Sequence, residues 1–187
     1  MVYIETERVR LRRWKEEDLE PFGQLNADQE VMRYFPSTLS QEETKAFQRV
    51  IQKEFDEYGY GLYAVEEKDS QAFIGFIGFH RATFEADFTP CIEIGWRLKK
   101  EVWGKGYATE GARACIKFGF DELGFQDVYS FTTERNEPSK RVMNKLGMSF
   151  VKRFNHPRME KTHPLSEHVL YQLSSKKFKD EKVAWFL

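Results

Sequence analysis

The 187-residue chain is 41% apolar and 16% aromatic, with 12 Gly and 6 Pro, which excludes a largely disordered, collagen-like or low-complexity protein. Lys and Arg number 29 against 30 Asp and Glu, so the net charge of −1 argues against nucleic acid as the main partner. No apolar run nears the roughly 18 residues of a membrane span. Glu5, Glu7 and Arg8 interrupt any leader-like stretch at the start, so a cytoplasmic protein with no membrane partner is expected.

The length suits one domain over residues 1–187. Val9 and Leu11 alternate with arginines, the period of a half-buried strand. Helical spacing follows from about Glu16 to Asn26 and again near Asp28 to Tyr34, where Pro36 ends it. Ser40-Gln41-Glu42-Glu43 reads as a capping box, and the helix it opens closes at Gly59. Strands are expected over 62–66, 73–81 and 91–98, and Gly75 and Gly78 in the second of them point to close backbone approach. In the third, Cys91, Glu93, Gly95 and Arg97 share one face, and Ile92, Ile94, Trp96 and Leu98 the other. A helix after Tyr107, a strand at 128–133, a short helix at 138–146 and two last strands complete the pattern, with Gly124 and Gly147 as helix stops. The order predicts an α/β fold built on one mixed sheet with helices on its faces. Residues 175–187 read as a charged C-terminal tail that ends in Trp185-Phe186-Leu187. That apolar end packs on the domain or on a second copy as a homodimer, and the sequence leaves both open.

Cys91 and Cys115 are too few for a disulfide framework or a four-cysteine zinc site, and both read as buried free thiols. His156, His163 and His168 have no metal-ligand spacing and are flanked by Pro157 and Pro164, so no metal site is expected. The most informative segment is Gly104-Lys105-Gly106, between a strand and a helix. Glycines there let the backbone pass close to a ligand, and the N–H groups that open the helix favour a phosphate. Gly-x-Gly alone is equally an ordinary turn. The P-loop spacing is absent, and Thr109 stands where a dinucleotide fingerprint needs a third glycine.

Taken together, Glu93-Ile94-Gly95-Trp96-Arg97-Leu98 and Trp103-Gly104-Lys105-Gly106-Tyr107-Ala108-Thr109-Glu110-Gly111 resemble the acetyl-CoA signature of the GNAT N-acetyltransferase superfamily. Asn136-Glu137-Pro138-Ser139-Lys140-Arg141-Val142-Met143 is similar to that family's next motif. The opening Glu5-Thr6-Glu7-Arg8-Val9-Arg10-Leu11-Arg12 resembles the branch of ribosomal-protein N-terminal acetyltransferases. The resemblance spans about residues 3–173. It departs at Glu101, where the family often has Gln or Arg, and at Met143, where many members have Tyr.

The resemblance implies a GNAT-like, mostly antiparallel central sheet splayed between its fourth and fifth strands, with acetyl-CoA as cosubstrate and no metal. The backbone of Trp96, Arg97 and Leu98 would pair with the pantetheine arm. The N–H groups from Trp103 through Gly104, Lys105, Gly106, Tyr107 and Ala108 to Thr109 would hold the pyrophosphate. Asn136 and Ser139 would lie near the sulfur. The implied reaction is direct transfer to a primary amine; the branch signature favours the N-terminal α-amine of a protein, such as a ribosomal protein, and a small molecule such as an amino sugar or polyamine is the alternative. A catalytically silent CoA-binding module is the rival.

An amine must lose a proton before it attacks. An α-amine (pKa about 7.7–8.0) demands less of a base than a lysine (about 10.4). Glu93 is the candidate general base, its plain alternative being a strand carboxylate paired with Arg97. Ser139 is the candidate partner of the leaving sulfur, its plain alternative a polar residue in the first turn of a helix. Asn136 is equally a helix N-cap.

Overall fold

The computed structural model describes residues 1–181; the expected packing of Trp185-Phe186-Leu187 lies outside them. The strands are β1 (Val2–Glu5), β2 (Val9–Arg12), β3 (Leu62–Glu67), β4 (Phe73–Ala82), β5 (Cys91–Leu98), β6 (Asp127–Thr133), β7 (Ser149–Asn155) and β8 (Glu167–Ser174). The helices are α1 (Leu19–Ala27), α2 (Gln41–Tyr58), α3 (Tyr107–Asp121), α4 (Glu137–Lys145) and α5 (Ser175–Glu181). The strands form an eight-stranded sheet in the order β1-β2-β3-β4-β5-β6-β8-β7. It is mostly antiparallel, with β5 and β6 parallel. The chain divides into two compact units, Met1–His80 with Gly95–Cys115, and Arg81–Ile94 with the chain from Ile116 onward.

In the first unit, β1 is a strand that the sequence did not announce. A four-residue edge strand carries little period, and of its residues only Ile4 is buried. Thr6 closes the turn into β2: its N–H donates to the Val9 carbonyl, and its hydroxyl oxygen accepts the Val9 N–H. The strands expected as fourth and fifth are therefore β5 and β6. Helix α2 opens on the predicted box: Ser40 Oγ accepts the Glu43 N–H, and the Glu43 carboxylate accepts the Ser40 N–H. It ends at Gly59, in the left-handed region at φ 76°. Between α1 and α2 the expected second helical stretch is a turn instead. The Asp28 carboxylate takes the Glu30 and Val31 N–H groups, which offers the backbone a local alternative to helix.

Two features hold this unit together. Arg12 is 4% exposed and meets two buried carboxylates, Asp18 at 2.7 and 2.9 Å and Glu66 at 2.7 Å. At Gly75 (φ +140°) an added Cβ would lie 2.1 Å from the Arg97 carbonyl oxygen and 2.8 Å from Leu98 Cα. Gly78 is just as close to Gly61 and Leu62. The strand glycines thus serve the close approach that their position suggested. Gly75→Ala is expected to lower stability by about 2–4 kcal/mol, a fall in melting temperature of roughly 5–15 °C. Thermal unfolding checks this, and an unchanged midpoint would contradict the contact.

In the second unit, β8 pairs antiparallel with both β6 and β7. An aromatic cluster gathers Phe84, Phe88, Phe131 and Phe154 with His156. The His156 imidazole is held down to about 4 by burial and by His168. Residues 175–181, expected as the start of a charged tail, form the helix α5. Its Phe178 ring lies 5.3 Å from that of Phe120, and Lys177 Nζ donates to the Gly147 carbonyl. The run of lysines hid one apolar anchor. Among the described residues no helix is long and apolar enough to cross a membrane.

Candidate acetyl-CoA and amine site

In the first unit, β5 leads through a short 3-10 turn (Lys100–Val102) into the glycine turn and α3. The Trp103 indole N–H donates to the Leu98 carbonyl at 2.8 Å and pins the start of the turn to the strand end. Gly104 (φ +74°) and Gly106 (φ +87°) both lie in the left-handed region, and space beside Gly104 is open. Such a turn aims successive N–H groups outward. The Tyr107, Ala108 and Thr109 N–H groups then fall in the first turn of α3, where no intrahelical partner exists, and the first turn closes only at Glu110 N–H to the Gly106 carbonyl. The residues fit a pyrophosphate: the backbone donors of a helix's first turn, the positive end of a 15-residue helix, and no side chain filling the space beside the first glycine.

A clamp that sequence reasoning missed holds this turn. Arg8 Nη1 donates to the Lys105 carbonyl at 2.9 Å, and Nε meets Glu110 Oε2 at 2.7 Å. The Glu110 carboxylate also accepts from the Thr6 hydroxyl at 2.7 Å and the Arg8 N–H at 2.9 Å. The Arg8 guanidinium lies over the Tyr107 ring, whose hydroxyl donates to Glu67. Burial tends to raise the Glu110 carboxyl, but these donors more than offset it and hold its pKa below the usual range. The Thr6-Glu7-Arg8 and Glu110 motifs were both visible, but a hundred residues separate them and no spacing rule links them. Arg8→Ala removes a brace and a cation beside the turn. It is expected to weaken acetyl-CoA binding by about 1–2 kcal/mol, roughly five- to thirtyfold in Kd, measured by calorimetric titration.

In the second unit, Glu93 is half-buried on β5 and registers opposite Tyr129 on the parallel strand β6. The next contact between these strands is made by a side chain: Ser130 Oγ donates to the Ile94 carbonyl at 2.9 Å. An open hollow of about 320 Å³ lies where the two strands begin, lined by Arg81, Phe88, Pro90, Cys91, Ile92, Asp127 and Tyr129. Asn136 is the N-cap of α4: its Oδ1 accepts the Ser139 N–H and its Nδ2 donates to Thr132 Oγ1. Both ends of its amide thus have structural partners, as the plain reading had it. Ser139 stands half-buried in the first turn of α4, and its hydroxyl has no hydrogen bond among the described residues. Met143, at the position where many members of the resembled family carry Tyr, is 1% exposed and belongs to the core.

The thiols have no part in the chemistry that this arrangement offers. Burial, with the charge of Glu93, pushes Cys91 up to about 12, and burial raises Cys115 well above an ordinary thiol. Neither is a thiolate near neutral pH, so neither is an activated nucleophile. The histidines form no metal-type cluster: among the described residues no group of three or more His, Cys, Asp or Glu is placed to hold an ion.

A glycine turn whose donors fit a pyrophosphate thus opens α3, on a mostly antiparallel mixed sheet. The family described as Acetyltransferase (GNAT) domain matches residues 8–149, and the chain belongs to it. The chain is 30% identical over 148 residues to the uncharacterized N-acetyltransferase YnaD of Bacillus subtilis, covering 79% of this chain and 82% of that protein. It is 26% identical over 145 residues to the spermidine N(1)-acetyltransferase of Escherichia coli K12, covering 75% and 73%. Its fold matches the crystal structure of a GNAT-family acetyltransferase from Bacillus anthracis with a TM-score of 0.78 at 26% identity, covering 94% of this chain and 99% of that one. The protein is an acetyl-CoA-dependent N-acetyltransferase of mixed α/β fold.

Proposed function

We propose that the protein acetylates the primary amine of a small molecule, with Glu93 as general base and Ser139 at the leaving sulfur. One observation carries the choice of acceptor. An open hollow of about 320 Å³, whose wall includes Tyr129, the residue opposite Glu93, is of small-ligand size, and it sets apolar Phe88, Pro90 and Ile92 beside the polar groups of Arg81, Asp127 and Tyr129. A relative named for acting on spermidine supports the same class.

Bound acetyl-CoA would supply an acyl thioester, held by the Trp103–Thr109 N–H groups and the backbone of Trp96 to Leu98. The Glu93 carboxylate takes the proton of the incoming ammonium, directly or through one water, and leaves its nitrogen lone pair for the carbonyl carbon. The Ser139 hydroxyl donates a hydrogen bond to the departing sulfur. A thiolate with an ordinary pKa of about 8.5 leaves with little further help, so a buried methionine at position 143 is compatible with turnover.

The test is acetyl-CoA-dependent thiol release against a panel of polyamines, amino sugars, amino acids and peptides with free N-termini. Turnover of small amines above the peptides supports the reading. Turnover of the peptides alone would move the acceptor to a protein N-terminus. Tight acetyl-CoA binding with no turnover of any amine would make the chain a CoA-binding module.

A further inference from the structure

Within the second unit, the open hollow has on its wall two polar groups that one amide holds and leaves half-satisfied. Tyr129 on β6 registers opposite Gln172 on β8, and Asp127 stands two residues before Tyr129 on the same face of β6. Gln172 Nε2 donates to Asp127 Oδ1 at 2.9 Å and to the Tyr129 hydroxyl oxygen at 3.2 Å. These bonds fix both side chains and use one oxygen of each. Among the described residues Asp127 Oδ2 accepts no hydrogen bond, and the Tyr129 hydroxyl donates none. Burial and the charge of Asp127 hold the Tyr129 phenol above its usual pKa, so it keeps the proton it can donate. Both residues are half-buried and line the hollow of about 320 Å³. A hydrogen-bond acceptor and a donor, tied to the same amide nitrogen, therefore stand together at its wall.

That pair selects the chemistry of what it meets. An ammonium only donates, so it would serve Asp127 and leave the Tyr129 hydroxyl without an acceptor. A carboxylate only accepts, so it would serve Tyr129 and be repelled by Asp127. An alkyl end would desolvate both groups and bond neither. A hydroxyl or a carboxamide donates and accepts, and it answers both without a net charge. Arg81 on the same wall sets a cation beside the carboxylate, which weakens the pull on a second ammonium. Phe88, Pro90 and Ile92 offer apolar contact to a carbon chain. We propose that the acceptor is an amine whose far end carries a neutral hydroxyl or carboxamide, bound by the Tyr129 hydroxyl and Asp127 Oδ2. This rests on the reading of the chain as a small-amine acetyltransferase with Glu93 as base, and it narrows the substrate class. Glu93 registers opposite Tyr129. Asp127 lies about 7 Å further back along β6, so about four to six chain atoms separate the amine from the polar end.

The experiment compares amines of one chain length that differ only at the far end: 5-aminopentanol, 5-aminopentanamide, pentylamine, 1,5-diaminopentane and 5-aminopentanoate. In thiol-release assays with acetyl-CoA, the alcohol or the amide is expected to exceed each of the other three by about five- to thirtyfold in kcat/KM, the worth of two hydrogen bonds. Tyr129→Phe and Asp127→Ala should each cut the ratio of that substrate to pentylamine several-fold, and the double change should bring it near one. The ratio is taken within each variant, so a general loss of activity cancels. A diamine, acid or alkylamine preferred over both neutral polar amines would overturn the proposal, as would a ratio unchanged in the variants. A second readout separates the proposal from the reading it rests on. In CoA-saturated protein the Tyr129 ring resonances, assigned with Tyr129→Phe, should shift with the alcohol or the amide and not with pentylamine. That shift without turnover of any amine would keep the polar site and overturn acetyl transfer to small amines. Turnover without the shift would overturn the site, and the absence of both would overturn both.

Discussion

Glu93→Gln is expected to lower kcat by about 10²–10⁴-fold, the range over which a positioned general base acts, while leaving acetyl-CoA affinity within about twofold. Glutamine keeps the size of the side chain and its place on β5 opposite Tyr129 but cannot take a proton. The donors assigned to the cosubstrate are backbone N–H groups of the Trp103–Thr109 turn, which the change does not touch. In the wild type, kcat/KM should rise with pH as the carboxylate and then the amine lose their protons. In the variant, the limb due to the carboxylate should vanish and only the amine's own ionisation remain. Thiol release across a pH series reads both. An unchanged kcat would remove Glu93 from the chemistry.

Arg12→Ala is expected to cost about 3–5 kcal/mol of stability, a drop of roughly 6–20 °C in melting temperature for a chain of this size. The change strands two carboxylates that are 1% and 7% exposed, Asp18 and Glu66. Arg10 and Lys15 also reach Glu66, at 3.3 and 3.5 Å, but both are more exposed and neither replaces the contacts of Arg12 with Asp18. The pH dependence has a definite sign. Burial tends to raise Glu66, but hydrogen bonds and charge from Arg12, together with Arg10 and Lys15, outweigh it, and its folded pKa lies below the usual value. Its contribution is therefore complete above the unfolded pKa of about 4.3 and is lost as pH falls through the lower folded value. Without Arg12 the contribution is largely lost at every pH above that range, so the less stable variant should reach its acid-unfolding midpoint at higher pH. An acid transition at the wild-type position would contradict the network.

What the sequence made legible was local. The Ser40 capping box, the Gly59 and Gly147 stops, the close approaches at Gly75 and Gly78 and the glycine turn before α3 each follow from the backbone needs of a few adjacent residues. The pattern around Glu93 and the turn also identified the family in advance. The rest depended on distance or competition. Glu110 is held by Thr6 and Arg8, and Arg97 by Asn26, across 71 or more positions that no period reveals. The Asp28 side chain captured N–H groups from a segment with helical spacing. Phe178, against Phe120, and Lys177, donating to the Gly147 carbonyl, dock a lysine-rich stretch as a helix. The N-cap that the sequence offered at Asn136 is made by its Oδ1, which accepts the Ser139 N–H.

The most direct test of the account is a mass-spectrometric assay of product formation in purified protein given acetyl-CoA and the small-amine panel. The account predicts one N-acetylated amine formed per thiol released, with neither Cys91 nor Cys115 acetylated at any time during turnover. Thiol release without an acetylated amine, or a cysteine carrying the acetyl group as the reaction proceeds, would contradict direct transfer to an amine deprotonated at Glu93.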